Sequence, residues 1–286
     1  MMNRTLKLKE LRVFAEEIRL LTLKEFAHIG FGHVGGAMSI IETLAVLYGK
    51  EMRYDPRNPN WEERDHLIVS KGHAGPAVYA TLALVGYFPE SMLRELNQGG
   101  GNLPSHCDRN KTPGIDMTTG SLGQGISAAC GVALGKRMDG KDSYTYLVLG
   151  DGECNEGQVW EGAMFAAQYK LDKLIAFVDL NGQQLDGYTQ DIMDMRNMGE
   201  RFAAFGWFVQ EVNGHDIGEI VNAVTAAKAN TGKPNAIILH TKKGNGCYFA
   251  EGIKDNHHMN FKPEQINEAI KRTEAALEAA KAAPAK

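Results

Sequence analysis

Two oxygen-bearing side chains, Asp151 and Asn181, each stand just beyond an apolar run that reads as a buried parallel strand, Tyr144–Leu149 and Leu174–Asp179. The stretch joining them opens Gly150-Asp151-Gly152 and has the length of one helix. Glycines at such a strand end let the backbone approach a ligand closely, and the helix that follows offers unpaired N–H groups to an anion. Successive parallel strands would deliver both side chains to the same carboxyl edge of a sheet, where open α/β folds bind ligands. A carboxylate and an amide oxygen meeting there suit a hard divalent cation of the Mg2+ type. Such an ion takes few protein oxygens and fills its shell with phosphate oxygens and water, so the pair implies a phosphorylated ligand.

Three histidines share a second pattern. His33 lies in Gly30-Phe-Gly-His-Val-Gly-Gly36, His73 in Lys71-Gly-His-Ala-Gly-Pro76 and His106 in Pro104-Ser-His-Cys-Asp108, each beside turn glycines or proline. One such residue reads as a turn filler, but the repetition reads as groups gathered around a pocket. His28 and His66 fall inside regular elements and read as structural, while His215 with Asp216 reads as a cap for the helix that follows. The glycine-rich excursion from Thr241 to His258 either brings a histidine over a ligand or is a surface loop.

The elements that must position these groups alternate regularly. Five strand-like runs, Asp65–Ser70, Tyr144–Leu149, Leu174–Asp179, Trp207–Val212 and Ala236–Thr241, are separated by helical segments. The pattern predicts an α/β fold, a doubly wound parallel sheet with helices on both faces. Helices are expected over residues 5–28, from Ala37, over Ala77–Val85, over the small-residue stretch Ile126–Met138, on the way to Phe205 and over Ile217–Asn230. A tail helix from about Pro263 is expected to be exposed and to fray at Ala282–Lys286.

Composition excludes several classes. Of 286 residues, 43% are hydrophobic and 23% charged, with 31 basic against 35 acidic side chains and a net charge of -4. This is an ordinary globular balance without a nucleic-acid footprint. The four cysteines, Cys107, Cys130, Cys154 and Cys247, form no CxxC pair, which points away from a zinc or disulfide framework and toward a reduced, cytoplasmic setting. No apolar stretch reaches membrane-spanning length, and the first residues lack the apolar core of a signal peptide.

With the Gly-Asp-Gly to Asn181 spacing, Glu156, Glu161, the three histidine motifs and Gly120-Ser-Leu122-Gly-Gln-Gly125 in order, the chain resembles the N-terminal, diphosphate-binding half of the transketolases over nearly its whole length. The resemblance implies one thiamine diphosphate-binding domain of the diphosphate type over 1–286. It implies Mg2+ held by Asp151, Asn181 and the carbonyl of Gln183. Gly150, Gly152, Glu156, His73 and a C-terminal histidine would bind the cofactor, with Gly120 and Leu122 against its rings. His258 is the choice for that histidine, with His257 adjacent. His33, His73, His106 and His258 would be catalytic, hydrogen-bonding sugar hydroxyls during transfer of a two-carbon ketol unit from a ketose phosphate to an aldose phosphate. The family's pyrimidine-binding domain does not follow, so a C-terminal subunit is expected as partner, two copies of each chain, with Glu156 and Glu161 near the subunit contact. The alternatives are the α subunit of a 2-oxo acid dehydrogenase, or a non-catalytic cofactor-binding paralogue.

Overall fold

A computed structural model describes residues 5–284. Its centre is a five-stranded parallel sheet built from β1 (His66–Val69), β2 (Thr145–Gly150), β3 (Leu174–Leu180), β4 (Phe208–Asn213) and β5 (Asn235–His240), in the order β1-β2-β3-β5-β4. The inner strands are apolar throughout because both faces are covered. Their two-residue period then sorts side chains into two layers. Tyr146, Val148, Ile175, Phe177, Ile237 and Leu239 pack in one core. It is shared with α1 (Leu8–Ile29), α2 (Val34–Met38), α3 (Ile41–Val46), α4 (Gly75–Leu84) and α8 (Ile217–Ala229). Leu147, Leu149, Ala176, Val178, Ala236 and Ile238 pack in the other. Its helices are α5 (Gln124–Met138), α6 (Gly157–Gln168) and α7 (Met198–Ala204). β4, one of the two edge strands, is half-exposed and carries Gln210 and Glu211, as an edge tolerates.

All five expected strands are present, and the differences fall between them. The second helix begins at Val34 rather than Ala37, breaks after Met38, resumes at Ile41 and ends in a π-turn, Leu47–Glu51. Before α7 there is only one helical turn, Thr189–Ile192; α7 itself is capped by Asn197, whose side chain accepts the Glu200 N–H.

The 241–258 excursion is not a surface loop. Lys243, Cys247, Phe249, Ala250 and Asn256 are buried, and Met259–Asn260 pairs antiparallel with Phe31–Gly32 beside His33. Asn256 replaces the missing ladder bonds by donating to the carbonyls of Lys243 and Ala250. Nor is the tail simply exposed. α9 (Pro263–Ala282) packs along α1 and buries Ile266, Ala269, Thr273 and Leu277, a spacing of one helical stripe. Of the expected frayed end, Ala285 and Lys286 lie outside the described residues.

Candidate active site

β2 and β3 run in register, with Gly150 opposite Asp179, so Asp151 leaves one strand beside the point where Asn181 leaves the other. Asp151 is buried and accepts the backbone N–H groups of Gly152 (2.8 Å) and Gly182 (2.6 Å), one on each carboxylate oxygen. Burial, together with the nearby Asp179 charge, pushes its pKa up to about 7. The Asn181 side-chain oxygen accepts the Gln183 N–H at 3.0 Å. These residues, with Gly150, Gly152, Leu122, His73 and His257, line a cleft of about 150 Å3 at the carboxyl edge. A larger hollow of about 370 Å3 lies at the opposite edge, near His66 at the start of β1, and holds none of these groups.

The loops bring five imidazoles together. His33 stands 5.7 Å from His73, 5.2 Å from His106, 5.5 Å from His257 and 4.8 Å from His258, centroid to centroid, and His73 is 4.7 Å from His257. Burial, then the neighbouring His106, lowers His33 to about 3; burial, then Lys243, lowers His257 to about 4. His73 falls well below the usual range through burial and Lys71, and His106 is lowered by burial alone. In this wall His33, His73, His106 and His257 are therefore neutral at pH 7, able to accept and donate hydrogen bonds at once. Gly120 borders it: its φ is +130°, and a Cβ there would stand 2.9 Å from the His106 ring.

Both C-terminal histidines reach this wall, but they divide the work. His257 lines the cleft and its Nδ1 faces the Lys243 ammonium at 3.2 Å, whereas His258 is exposed and its ring lies 5.7 Å from Phe31. Leu122 is at the rim, 37% exposed. Glu156 and Glu161 are exposed on α6 or its cap and make no part of the cleft lining.

Sequence reasoning missed the charged floor. Lys71, 1% exposed, donates to Asp179 (2.5 Å), the Gly36 carbonyl (2.8 Å) and Ser39 (3.2 Å). Asp179 also accepts from Ser39 (2.7 Å), Asn181 (2.8 Å) and Thr241. Glu153 joins three loops at once, accepting from Ser70, from the Gly123 N–H (2.9 Å) and from the Gly150 N–H (3.0 Å). Lys243, 3% exposed, contacts the Gln183 carbonyl at 3.4 Å, and burial with the Lys71 charge lowers it to about 8. The available signal was a charged residue at the end of an apolar strand, as in Leu174–Asp179 and Asp65–Lys71, where burial is assured and a partner is therefore required.

The donor set fits a hard cation bound with help from its ligand. Among the described residues no group of three His, Cys, Asp or Glu could hold a metal by itself. Asp151, the Asn181 amide and the Gln183 carbonyl are all oxygen donors, and a buried carboxylate with a raised pKa gains most from a cation beside it. Lys243, whose amine contacts are a carbonyl and an imidazole, supplies a buried positive charge for an anionic group.

A parallel α/β sheet with oxygen donors, an ammonium and neutral imidazoles gathered at its carboxyl edge has the form of a domain that binds a phosphorylated cofactor. The chain belongs to the transketolase family: residues 11–281 match its thiamine diphosphate binding domain. It is 53% identical over 260 residues to a 6-deoxy-6-sulfo-D-fructose transketolase subunit of Clostridium sp. (strain MSTE9), covering 91% of this chain and 94% of that one. It is 38% identical to an apulose-4-phosphate transketolase subunit of Phocaeicola vulgatus, covering 86% and 88%. The transketolase crystal structure from Campylobacter jejuni superposes with a TM-score of 0.87 at 27% identity, over 96% of this chain and 46% of that one. The chain thus spans less than half the length of the solved transketolases it matches.

Proposed function

We propose that the chain acts as one diphosphate-binding domain, the N-terminal subunit of a thiamine diphosphate- and Mg2+-dependent transketolase. A C-terminal partner chain completes the site, with two copies of each, in the cytoplasm. The observation that carries the reading is the meeting of five imidazoles, the other four within 4.8–5.7 Å of His33, with the oxygen donors of Asp151, Asn181 and Gln183 at one sheet edge. A cofactor-binding domain without catalysis requires only the second set. The two similar subunits are named as transketolase subunits, which favours sugar transfer over 2-oxo acid oxidation.

Asp151, Asn181 and the Gln183 carbonyl would hold Mg2+, and Gly152, His73, His257 and Lys243 the diphosphate. When bound, thiamine diphosphate supplies the carbanion and electron sink for carbon–carbon cleavage. The chain's own residues orient hydroxyls and move protons. A general base works best near the ambient pH, so His33, held at about 3, serves to orient a hydroxyl. His106, partly exposed and lowered only by burial, is the better placed proton acceptor.

The test is two-carbon transfer with xylulose 5-phosphate or 6-deoxy-6-sulfo-D-fructose as donor and ribose 5-phosphate as acceptor, with Mg2+ and thiamine diphosphate. It is run on this chain alone and with a co-purifying partner. Transfer in the mixture alone is expected. Turnover of pyruvate with an electron acceptor, and no sugar transfer, would overturn the reading.

A further inference from the structure

Segment 241–258 carries Lys243 and His257 into the cleft, yet it is almost entirely turns. Its first residue still bonds β3, the Thr241 N–H donating to the Leu180 carbonyl at 3.3 Å, and the Gly244 N–H donates to the Gly35 carbonyl at 3.0 Å; between them the Lys242 peptide, next to Lys243, needs its own partner. Beneath its first residues lies a buried network centred on Glu42 of α3. Arg19 of α1, 4% exposed, donates to Glu42 Oε1 at 2.5 Å, and Asn245 of the segment reaches the same oxygen at 3.3 Å. The other oxygen, Oε2, faces Nδ1 of His215 at 3.3 Å. His215 Nε2 lies 2.8 Å from the backbone nitrogen of Lys242 and accepts its N–H.

The chemistry of that last bond fixes the tautomer. A backbone N–H can only donate, so Nε2 is bare and the ring proton sits on Nδ1, directed at Glu42. His215 thereby transmits the position of a buried carboxylate, anchored to α1 and α3, to the peptide next to Lys243. The segment also passes directly over the guanidinium: at Gly246, with φ +79°, a Cβ would stand 2.4 Å from Arg19 Nε. The ion pair of Lys242 with Glu251, at 2.7 Å, joins the segment only to itself and is partly exposed, while the bonds of Thr241 and Gly244 to the domain hold the peptides on either side, so His215 is the contact that holds the Lys242 peptide itself.

We infer that His215 is a positioning residue: through Glu42 and the Lys242 N–H it sets the backbone that aims Lys243 and His257 into the cleft. The cofactor named in the test rests on the function proposed above, whereas the structural arm does not.

The experiment uses the full chain, with its partner where one co-purifies, as wild type, His215→Leu and His215→Gln. Gln is chosen because its amide can accept the Lys242 N–H and donate to Glu42. Backbone hydrogen exchange is measured without cofactor, and binding of thiamine diphosphate with Mg2+ by calorimetry. In His215→Leu, losing a hydrogen bond of ordinary net strength, exchange over 242–252 is expected to rise about 10-fold, with the sheet unchanged and the cofactor Kd raised about 10-fold. His215→Gln should recover most of both. Unchanged exchange in the Leu variant, an equal rise across the whole chain, or a Gln variant as impaired as Leu would each overturn the inference. A wild type that binds no thiamine diphosphate would count against the proposed function, while the exchange comparison would still decide the role of His215.

Discussion

On the floor of the cleft Asp179 is completely buried and ionised, while beside it the imidazoles of His33, His73, His106 and His257 are held neutral. Burial penalises charge in both places. At Asp179 the Lys71 ammonium and the Ser39, Thr241 and Asn181 donors outweigh that penalty and lower its pKa. Around His33, His73 and His257 the neighbours are the ammonium groups of Lys71 and Lys243 and other imidazoles, which become positive when protonated, so they add to the penalty, while His106 is lowered by burial alone. One region is a charged support of paired groups; the other is a set of neutral imidazoles, of which His257 is held by Lys243.

The contrast between the two breaks most severely at the floor. Asp179→Ala strands the Lys71 ammonium in the core and should cost ~3–5 kcal/mol by urea unfolding, as removal of one member of a buried pair does. Replacing both as Lys71→Met with Asp179→Leu should recover much of that; a loss under about 1 kcal/mol from Asp179→Ala would show that the pair is not the support described.

On the wall, His106→Ala should leave thiamine diphosphate binding nearly intact while cutting two-carbon transfer by ~10²–10⁴-fold, the usual range for a proton-transfer group. A loss confined to cofactor affinity would reassign that side chain.

Acid separates the two regions. The histidine pKa values are depressed, to about 3 for His33 and about 4 for His257. As pH falls below about 6.5 the unfolded chain therefore takes up protons first, and wall-linked stability declines toward pH 4. Asp179 is an acid with a lowered pKa, so its contribution is present above 3.8, its ordinary value, and is lost only below it. The raised carboxyls of Asp151 and Glu25 pull the other way over the same range, so the test is the difference: the unfolding midpoint of His33→Asn should lose less than that of wild type between pH 6.5 and 4, and parallel profiles would contradict the neutral wall.

The smallest effect tests burial with no compensation at all. Glu25 on α1 is fully enclosed, both its oxygens lack a hydrogen-bond partner among the described residues, and burial raises its pKa well above the usual range. A raised acid destabilises increasingly as pH climbs above 4.5, so Glu25→Met should stabilise the chain at pH 7 by ~1–3 kcal/mol. A variant no more stable than wild type would reveal a partner for Glu25.

Asp151, Asn181 and the three turn histidines were legible because each stands at a strand end or beside turn glycines or proline, and strand ends and turns are local events. Lys71 and Asp179 stood in the same motifs but passed as context. Their importance lies in pairing across 108 positions of chain. The order of His257 and His258 could not be read from two adjacent identical residues. The bridge from Met259–Asn260 to Phe31–Gly32 decides it, placing His258 at Phe31 and His257 in the cleft. In the sequence the 241–258 excursion stays open between a surface loop and a segment over a ligand because its glycines are visible locally, while the Asn256 bonds and the Arg19–Glu42–His215 network that pin it are not.

The sequence by itself determined the parallel α/β architecture, the sheet edge that carries the chemistry and the family, since hydrophobic period, turn glycines and motif order are properties of short segments. Only the tertiary structure decided which buried groups keep their charge, which histidine enters the cleft and that the excursion and the tail helix are packed. Those outcomes depend on desolvation and on partners such as Ser39 and Asp179, 140 residues apart, whose interaction exists only once the layers have closed.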